Sequence, residues 1–360
     1  MSSWALQWRL ITGLFNVRLS DFRPQSKLVT KTSLVERPRY PAIDAHNHLG
    51  LAFGGGWDQR PLPELLDLLD SAGIIRYVDL DGGWGEEILH VHLDHFKHPA
   101  PERFQIFGGV DWYQWPKLGN AFPEWAAGRL RAQKARGAQG LKIWKGLGLS
   151  VTDEQGHLVD VDDPRLTPIW ETAGELGWPV MIHVADPVAF FEPIDETNER
   201  WEELGNHPEW AFTSPPFPSF LHILEGLASL VARHPHTTFI GAHVGCYAEN
   251  LGWVGALLDR CPNFYVDISA RLGELGRQPY TARRFFLRYA DRILFGSDMS
   301  PDPASYRLIF RFLETDDEYF NYNASEVPSQ GRWYIHGIYL PDDVLEKVYR
   351  LNAERVLASD

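Results

Sequence analysis

From residue 42 to residue 298, short apolar runs alternate with stretches of helical periodicity, and nothing else in the sequence restricts the fold as strongly. Continuous apolar runs suit strands buried on both faces. Strands of that kind, separated by helices, build parallel sheets through right-handed crossovers. The sequence predicts strands over 41–45, 74–80, 104–110, 140–144, 179–184, 237–243, 264–269 and 293–296. Helices are predicted over 61–72, 86–96, 124–136, 219–233, 249–259 and 281–290. Another is expected from the cap Asp162-Asp163-Pro164 to Gly177. The first of these carries Leu62, Leu65, Leu66 and Leu69 at helical spacing and stops at Gly73.

Eight strand-then-helix units over this span match the roughly 250 residues of an eightfold β/α barrel. The expected class is therefore α/β, a (β/α)8 TIM barrel. An open doubly wound sheet is the alternative, but no Gly-x-Gly-x-x-Gly turn follows the first strand. Residues 1–40 read as an N-terminal arm and linker, and 41–360 as the barrel domain. Within 1–21, Trp4, Trp8, Leu10, Ile11 and Phe15 are interrupted by Gln7, Arg9 and Thr12, so this is neither a signal segment nor a membrane span. It is expected to pack on the domain or on a second subunit, with membrane adsorption as the alternative. Three further features lie beyond the repeat. The proline-studded segment 185–218, after strand five, reads as a lid or pocket wall. The segment 316–339 is an insertion without an assigned purpose. A final helix over 342–357 is expected against the outside.

A formal net charge of −14 argues against nucleic acid or an anionic membrane as partner, since both require a basic face. The function belongs in a pocket that takes a small molecule. Two cysteines, Cys246 and Cys261, make no disulfide framework and fit the cytoplasm. Soluble enzymes commonly form symmetric oligomers, so a homodimer is expected.

Barrels of this class carry their active sites at the carboxyl ends of the strands. His46 and His48 end strand one, and side chains two apart in a strand share a face. A lone His-x-His is more often a surface or hydrogen-bonded pair than a metal site. Here, however, His183 ends strand five, His243 strand six and Asp298 strand eight, while strand four offers Lys142. Four of the 14 histidines at strand ends together with a carboxylate point to a metal, because imidazole and carboxylate suit zinc, manganese and iron. Tryptophans 57, 84, 112, 115 and 144 fall in or near the loops that follow strands, and Phe190, Phe191, Trp201 and Trp210 in the long segment. Such rings build small-molecule pockets. Trp57 and Trp144 are the candidate substrate contacts among them. Arg271, just after strand seven, could hold a carboxylate by its planar fork. Asp44 either orients a ligand or is a satisfied polar residue near a strand start.

The pieces AIDAHNHLG, GLKIWKGLG, PVMIHVADP, TFIGAHVG, FYVDISARLGELG and ILFGSDMSPD, in this order, resemble the amidohydrolase superfamily. The resemblance covers about 41–358 and is nearest the branch that holds aminocarboxymuconate-semialdehyde decarboxylase-like enzymes and various hydrolases. It implies that His46, His48, His183 and Asp298 ligate a divalent metal and that His243 is the acid/base histidine beside it. One ion is expected, zinc first, with manganese or another transition metal as alternatives. In two-metal relatives a lysine at the place of Lys142 is carbamylated and bridges the ions. Lys142 and Lys145 could instead bind substrate as point charges. The expected activity is metal-dependent hydrolysis of an ester, lactone or amide in a small aromatic or carboxylated substrate. The alternative is a metal-dependent decarboxylase, or lyase, of a carboxylated aromatic or muconate-type substrate. A metal-retaining binding protein without turnover is a third reading.

Overall fold

The computed structural model describes residues 17–18, 21–323, 325 and 327–358. Residues 1–16, on which the reading of an apolar arm rests, lie outside the described residues. The chain forms two units, 1–31 and 32–360. In the first, the described residues are almost all exposed.

The second unit is the (β/α)8 barrel. Its strands are β1 (Ala42–Asn47), β2 (Ile74–Asp79), β3 (Phe104–Ile106), β4 (Leu141–Ile143), β5 (Val180–Ile182), β6 (Phe239–Gly241), β7 (Phe264–Asp267) and β8 (Ile293–Leu294). Between them run α1 (Leu62–Ala72), α2 (Glu86–His92), α3 (Phe122–Arg136), α4 (Thr167–Glu175), α5 (Phe220–Arg233), α6 (Leu251–Arg260) and α7 (Pro279–Arg288). After β8 comes α8 (Pro303–Glu314), and a last helical stretch, α9, spans 342–356 with a π-helical middle.

All strand pairs are parallel, β1 to β3 in one arc and β4 to β8 in the other. Backbone bonds close the arcs on each other. At the β3/β4 seam Gly108 N donates to Gly140 O (2.9 Å) and Lys142 N to Gly108 O (2.8 Å). At the β8/β1 seam Ala45 N donates to Phe295 O (3.0 Å) and Asp298 N to His46 O (2.8 Å). Each predicted strand is found; β1 runs two residues past its predicted end, to Asn47, and the other seven are shorter at their carboxyl ends, because there the chain leaves the sheet to build the mouth.

Two departures from the sequence reading matter for the site. The stretch 299–315, where no element is predicted, holds α8. Asp302 caps it, accepting from Ser305 N at 2.9 Å, and Pro303 opens it, where its missing N–H costs nothing. The last stretch, α9, is not only an outer helix. Val344, Leu345 and Val348 pack in the outer layer, but Ala353, Val356 and Leu357 join Ile43, Met181, Ile240 and Leu294 in the barrel interior and stopper it. Packed interiors tolerate few voids, and these side chains fill the end of the barrel interior.

Asn352 fixes the plug, donating from Nδ2 to Ala290 O (2.7 Å) and Ile293 O (2.8 Å) with its side chain fully buried. Asn352→Leu leaves both carbonyls without that donor and should cost about 2–4 kcal/mol of stability. A urea midpoint equal to that of the wild type would show that the plug is not held in this way.

Candidate metal centre and cavity

The strand ends bring Asp81, Asp267 and Asp298 together with four histidines at the barrel mouth. In neutral imidazole one ring nitrogen donates and the other accepts, and the donor's partner sets which. His46 Nδ1 meets Asp267 Oδ2 at 2.8 Å, and His48 Nδ1 meets Asp81 Oδ1 at 2.7 Å. Both rings therefore turn Nε2 toward one place. There Asp298 Oδ1 lies 3.5 Å from His46 Nε2 and 3.1 Å from His48 Nε2. Two acceptor nitrogens aimed at a carboxylate oxygen repel one another unless a positive charge lies among them; the Lys142 ammonium approaches His46 Nε2 at 3.3 Å, and a metal ion would serve both rings. His46, His48 and Asp298 offer ligand atoms that all lie within 4.8 Å of one another. The donor set and its carboxylate-backed imidazoles fit a divalent transition metal.

His243 stands next to this cluster. Its Nε2 is 3.7 Å from Asp298 Oδ2, and its Nδ1 is 3.0 Å from the carbonyl of Ser269. Burial, helped by the Arg271 charge, holds its pKa well below the ordinary histidine value. His183 is reached through His243: their ring centroids are 4.5 Å apart, and that of His243 is 5.0 Å from that of His46. His183 Nε2 is 3.5 Å from Asp186 Oδ1, and burial lowers its pKa to about 4 despite that carboxylate. Lys142 is buried with Nζ 3.3 Å from His46 Nε2, and burial brings its pKa down to about 8. Burial alone would raise the Asp298 carboxyl, but the surrounding histidines bring it well below the usual range.

The backbone is unusual at these places. His243 (φ 57°), Val244 (φ 59°), Ala270 (φ 53°) and Asp298 (φ 55°) are left-handed, which turns the chain off the strand direction and lets His243 and Asp298 face the mouth.

A cavity of about 700 Å³ opens over the centre. Trp84 and Trp144, stacked with centroids 4.0 Å apart, and Trp112 form one part of its wall. Gly83 permits this, since a Cβ there would lie 2.8 Å from Trp144 Nε1. The segment 185–218 supplies Asp186, Phe190, Arg200, Glu203 and Trp210, so it covers the centre as its length suggests. Three charge pairs tie it down. Glu199 takes both arms of Arg277 (2.7 and 3.0 Å), Arg200 bonds to Glu274, and Glu202 accepts from Arg332 at 2.6 and 2.7 Å. Arg332 belongs to the segment 316–339, which so acquires a structural role.

Of the sequence candidates, His46, His48, Asp298, His243, His183, Lys142, Trp144 and Arg271 gather here. Trp57 does not line this cavity; its indole donates to Ser300 Oγ at 3.1 Å under the Arg60 guanidinium. Lys145 pairs with Asp186. Asp44, raised to about 7 by burial, accepts from Ser297 N (3.0 Å) and Tyr306 OH (2.7 Å), so it is a satisfied brace of the β8 end. Asp81 and Asp267 escaped the sequence reading. Asp267 carried the same signal as Asp298, a lone carboxylate closing an apolar run.

A family model described as Amidohydrolase matches residues 95–358. No curated protein matches the sequence. Among solved structures, a 2,6-dihydroxybenzoate decarboxylase from Rhizobium has a TM-score of 0.54 at 17% identity, covering 88% of this chain and 98% of that one. A dihydroxybenzoic acid decarboxylase from Polaromonas, with bound manganese and the inhibitor 2-nitroresorcinol, has a TM-score of 0.54 at 16% identity, over 88% and 97% of the two chains. A 5-carboxyvanillate decarboxylase from Novosphingobium aromaticivorans, complexed with manganese and 4-hydroxy-3-methoxy-5-nitrobenzoic acid, has a TM-score of 0.52 at 14% identity, over 90% and 99%. At these identities the likeness is one of fold, and it agrees with the barrel.

The centre predicts about one divalent ion per chain by elemental analysis, lost in His48→Ala. Asp81→Asn and Asp267→Asn should keep the fold by circular dichroism while weakening metal affinity roughly 10- to 100-fold. Two ions bridged by a carbamylated Lys142 would overturn the count.

Proposed function

The chain belongs to the amidohydrolase family, and from that premise we propose that it is a metal-dependent hydrolase of an ester, lactone or amide in a small carboxylated aromatic substrate. One observation carries the reading: Asp298 spans the space between the paired histidines His46 and His48 and the neutral His243. A divalent cation held by His46, His48 and Asp298, with His183 as a further candidate ligand, supplies Lewis acidity to an oxygen atom. The remaining work falls to the chain. Asp298 accepts a proton from the attacking water and returns it to the departing heteroatom. The carbonyl of Ser269 holds His243 with Nε2 toward Asp298, so the ring can share that proton. Trp84, Trp112 and Trp144 offer flat apolar surface to an aromatic group, and Arg271 offers a planar fork to its carboxylate. The segment 185–218 keeps bulk water out.

Non-oxidative decarboxylation is the second reading. What favours it is that solved structures of similar fold include two dihydroxybenzoate decarboxylases and a carboxyvanillate decarboxylase, together with the aromatic wall and the Arg271 cation.

The enzyme loaded with zinc or manganese should hydrolyse members of a panel of esters, lactones and anilides of carboxylated aromatic acids. Carbon dioxide release from hydroxybenzoates with no turnover of that panel rejects hydrolysis. His243→Asn should lower kcat roughly 10²- to 10⁴-fold with metal retained. Arg271→Met should raise KM roughly 10- to 100-fold for a carboxylated substrate and leave its uncharged analogue nearly unaffected, because a charged hydrogen-bond pair is at stake.

A further inference from the structure

A second cavity, of about 260 Å³, also reaches Asp298. Asp298 and Gln330 stand in the walls of both cavities. The two walls differ in chemistry. The larger carries Lys145, Arg200 and Arg271 among its aromatic rings, with Asp111, Asp186 and Glu203 beside them; Lys145 pairs with Asp186 and Arg200 with Glu203, so Arg271 is the counter-charge it offers an anionic group. The smaller is formed by the ends of β7 and β8, by α8 and by the segment 316–339, and it presents Ile268, Leu272, Met299, Leu308 and Ile309 together with the uncharged polar Ser305, Tyr322, Asn323 and Ser329. Among the described residues, Asp298 is its one charged side chain. An anionic group would find no counter-charge there and would lose its hydration.

We propose that the smaller cavity is the leaving-group subsite, which seats the uncharged alcohol or amine half of the substrate while the larger cavity holds the carboxylated aromatic acyl half. The inference rests on the hydrolase reading and adds to it which half of the substrate goes where. An apolar cavity of about 150 Å³ accommodates benzene, so this one has room for a branched or cyclic group of about four to seven carbons. In the reaction the bond from acyl carbon to oxygen or nitrogen breaks, and its electron pair stays on the heteroatom. The water oxygen forms the new bond to the acyl carbon, and one water proton travels by way of Asp298 to the heteroatom. An acid and a neutral alcohol or amine result, with nothing oxidised or reduced. Asp298 borders both cavities, so the same carboxylate reaches the water and the departing atom. A decarboxylase splits its substrate into carbon dioxide and the decarboxylated molecule, and so has no alcohol or amine half to seat.

Leu308 of α8 lines the smaller cavity and is absent from the wall of the larger. The test compares the methyl and cyclohexyl esters of one carboxylated aromatic acid. Leu308→Trp should lower kcat/KM for the cyclohexyl ester about tenfold or more, the scale on which a blocked apolar contact discriminates, and leave the methyl ester nearly unchanged. Leu308→Ala should shift the preference the other way. The chain's three methionines, Met1, Met181 and Met299, give a readout independent of turnover. With ¹³C-methyl methionine, cyclohexanol should shift the Met299 signal and not that of Met181, which is in the barrel interior. In Leu308→Trp the shift should vanish. Ester hydrolysis with a silent Met299, or an equal loss for both esters, rejects the subsite and leaves the hydrolase standing. Absence of hydrolysis across the panel rejects the hydrolase, and the leaving-group role with it, even if Met299 responds.

Discussion

An ionised carboxylate in the dry mouth of a barrel is intolerable without donors, and two of them, Asp81 and Asp267, lie there buried beneath the candidate metal ligands. The mouth is arranged around that demand. Asp267 accepts from His243 N (3.1 Å) and Ser269 N (2.9 Å) and holds His46; Asp81 accepts from Gly50 N (2.7 Å) and holds His48. Each acid thus takes a donor from a neighbouring strand end, so the same contacts that make its burial tolerable set the tautomer and aim of a histidine. Positioning and folding are here one network. Buried polar networks of this kind rigidify a site when every member is satisfied.

The cavity above obeys a different rule. Its wall is assembled from distant parts of the chain, and the segment 185–218 is joined to its neighbours by ion pairs through Glu199, Arg200 and Glu202. Of these, Arg200–Glu274 is buried, so removing one partner would strand a charge. The Glu199–Arg277 and Glu202–Arg332 pairs are part-exposed and contribute direction more than stability. The result is a cover fixed at one point and adjustable at two.

The barrel was legible because its strands are buried on both faces, which writes them as unbroken apolar runs, and because Gly73 and the cap before Pro164 punctuate the helices as helix ends require. The ligand candidates were legible from position alone: His46, His48, His183, His243 and Asp298 each close or follow such a run. What stayed hidden depends on the third dimension. Trp57 stands in the sequence as any loop tryptophan does, and only packing sends it toward Ser300. Nothing local in 342–356 tells an outer helix from one whose last turn enters the barrel. Helix α8, by contrast, announced itself by Asp302 and Pro303 and by the helical spacing of Tyr306, Ile309, Phe310 and Leu313, so it was legible in the sequence although no element is predicted there. The smaller cavity has no sequence signature, since Ile268, Met299 and Leu308 are ordinary core residues until the segment 316–339 leaves a gap between them.

The left-handed residues at 243, 244, 270 and 298 have an evolutionary consequence. For a residue with a Cβ this conformation costs roughly 1–2 kcal/mol, and more for a β-branched one such as Val244. Glycine would remove the cost at 244 and 270, and with it the stiffness that keeps His243 and Arg271 pointed inward. A lineage selected for heat endurance alone would be drawn to those two positions first. Any hardiness won there would trade against accuracy of aim.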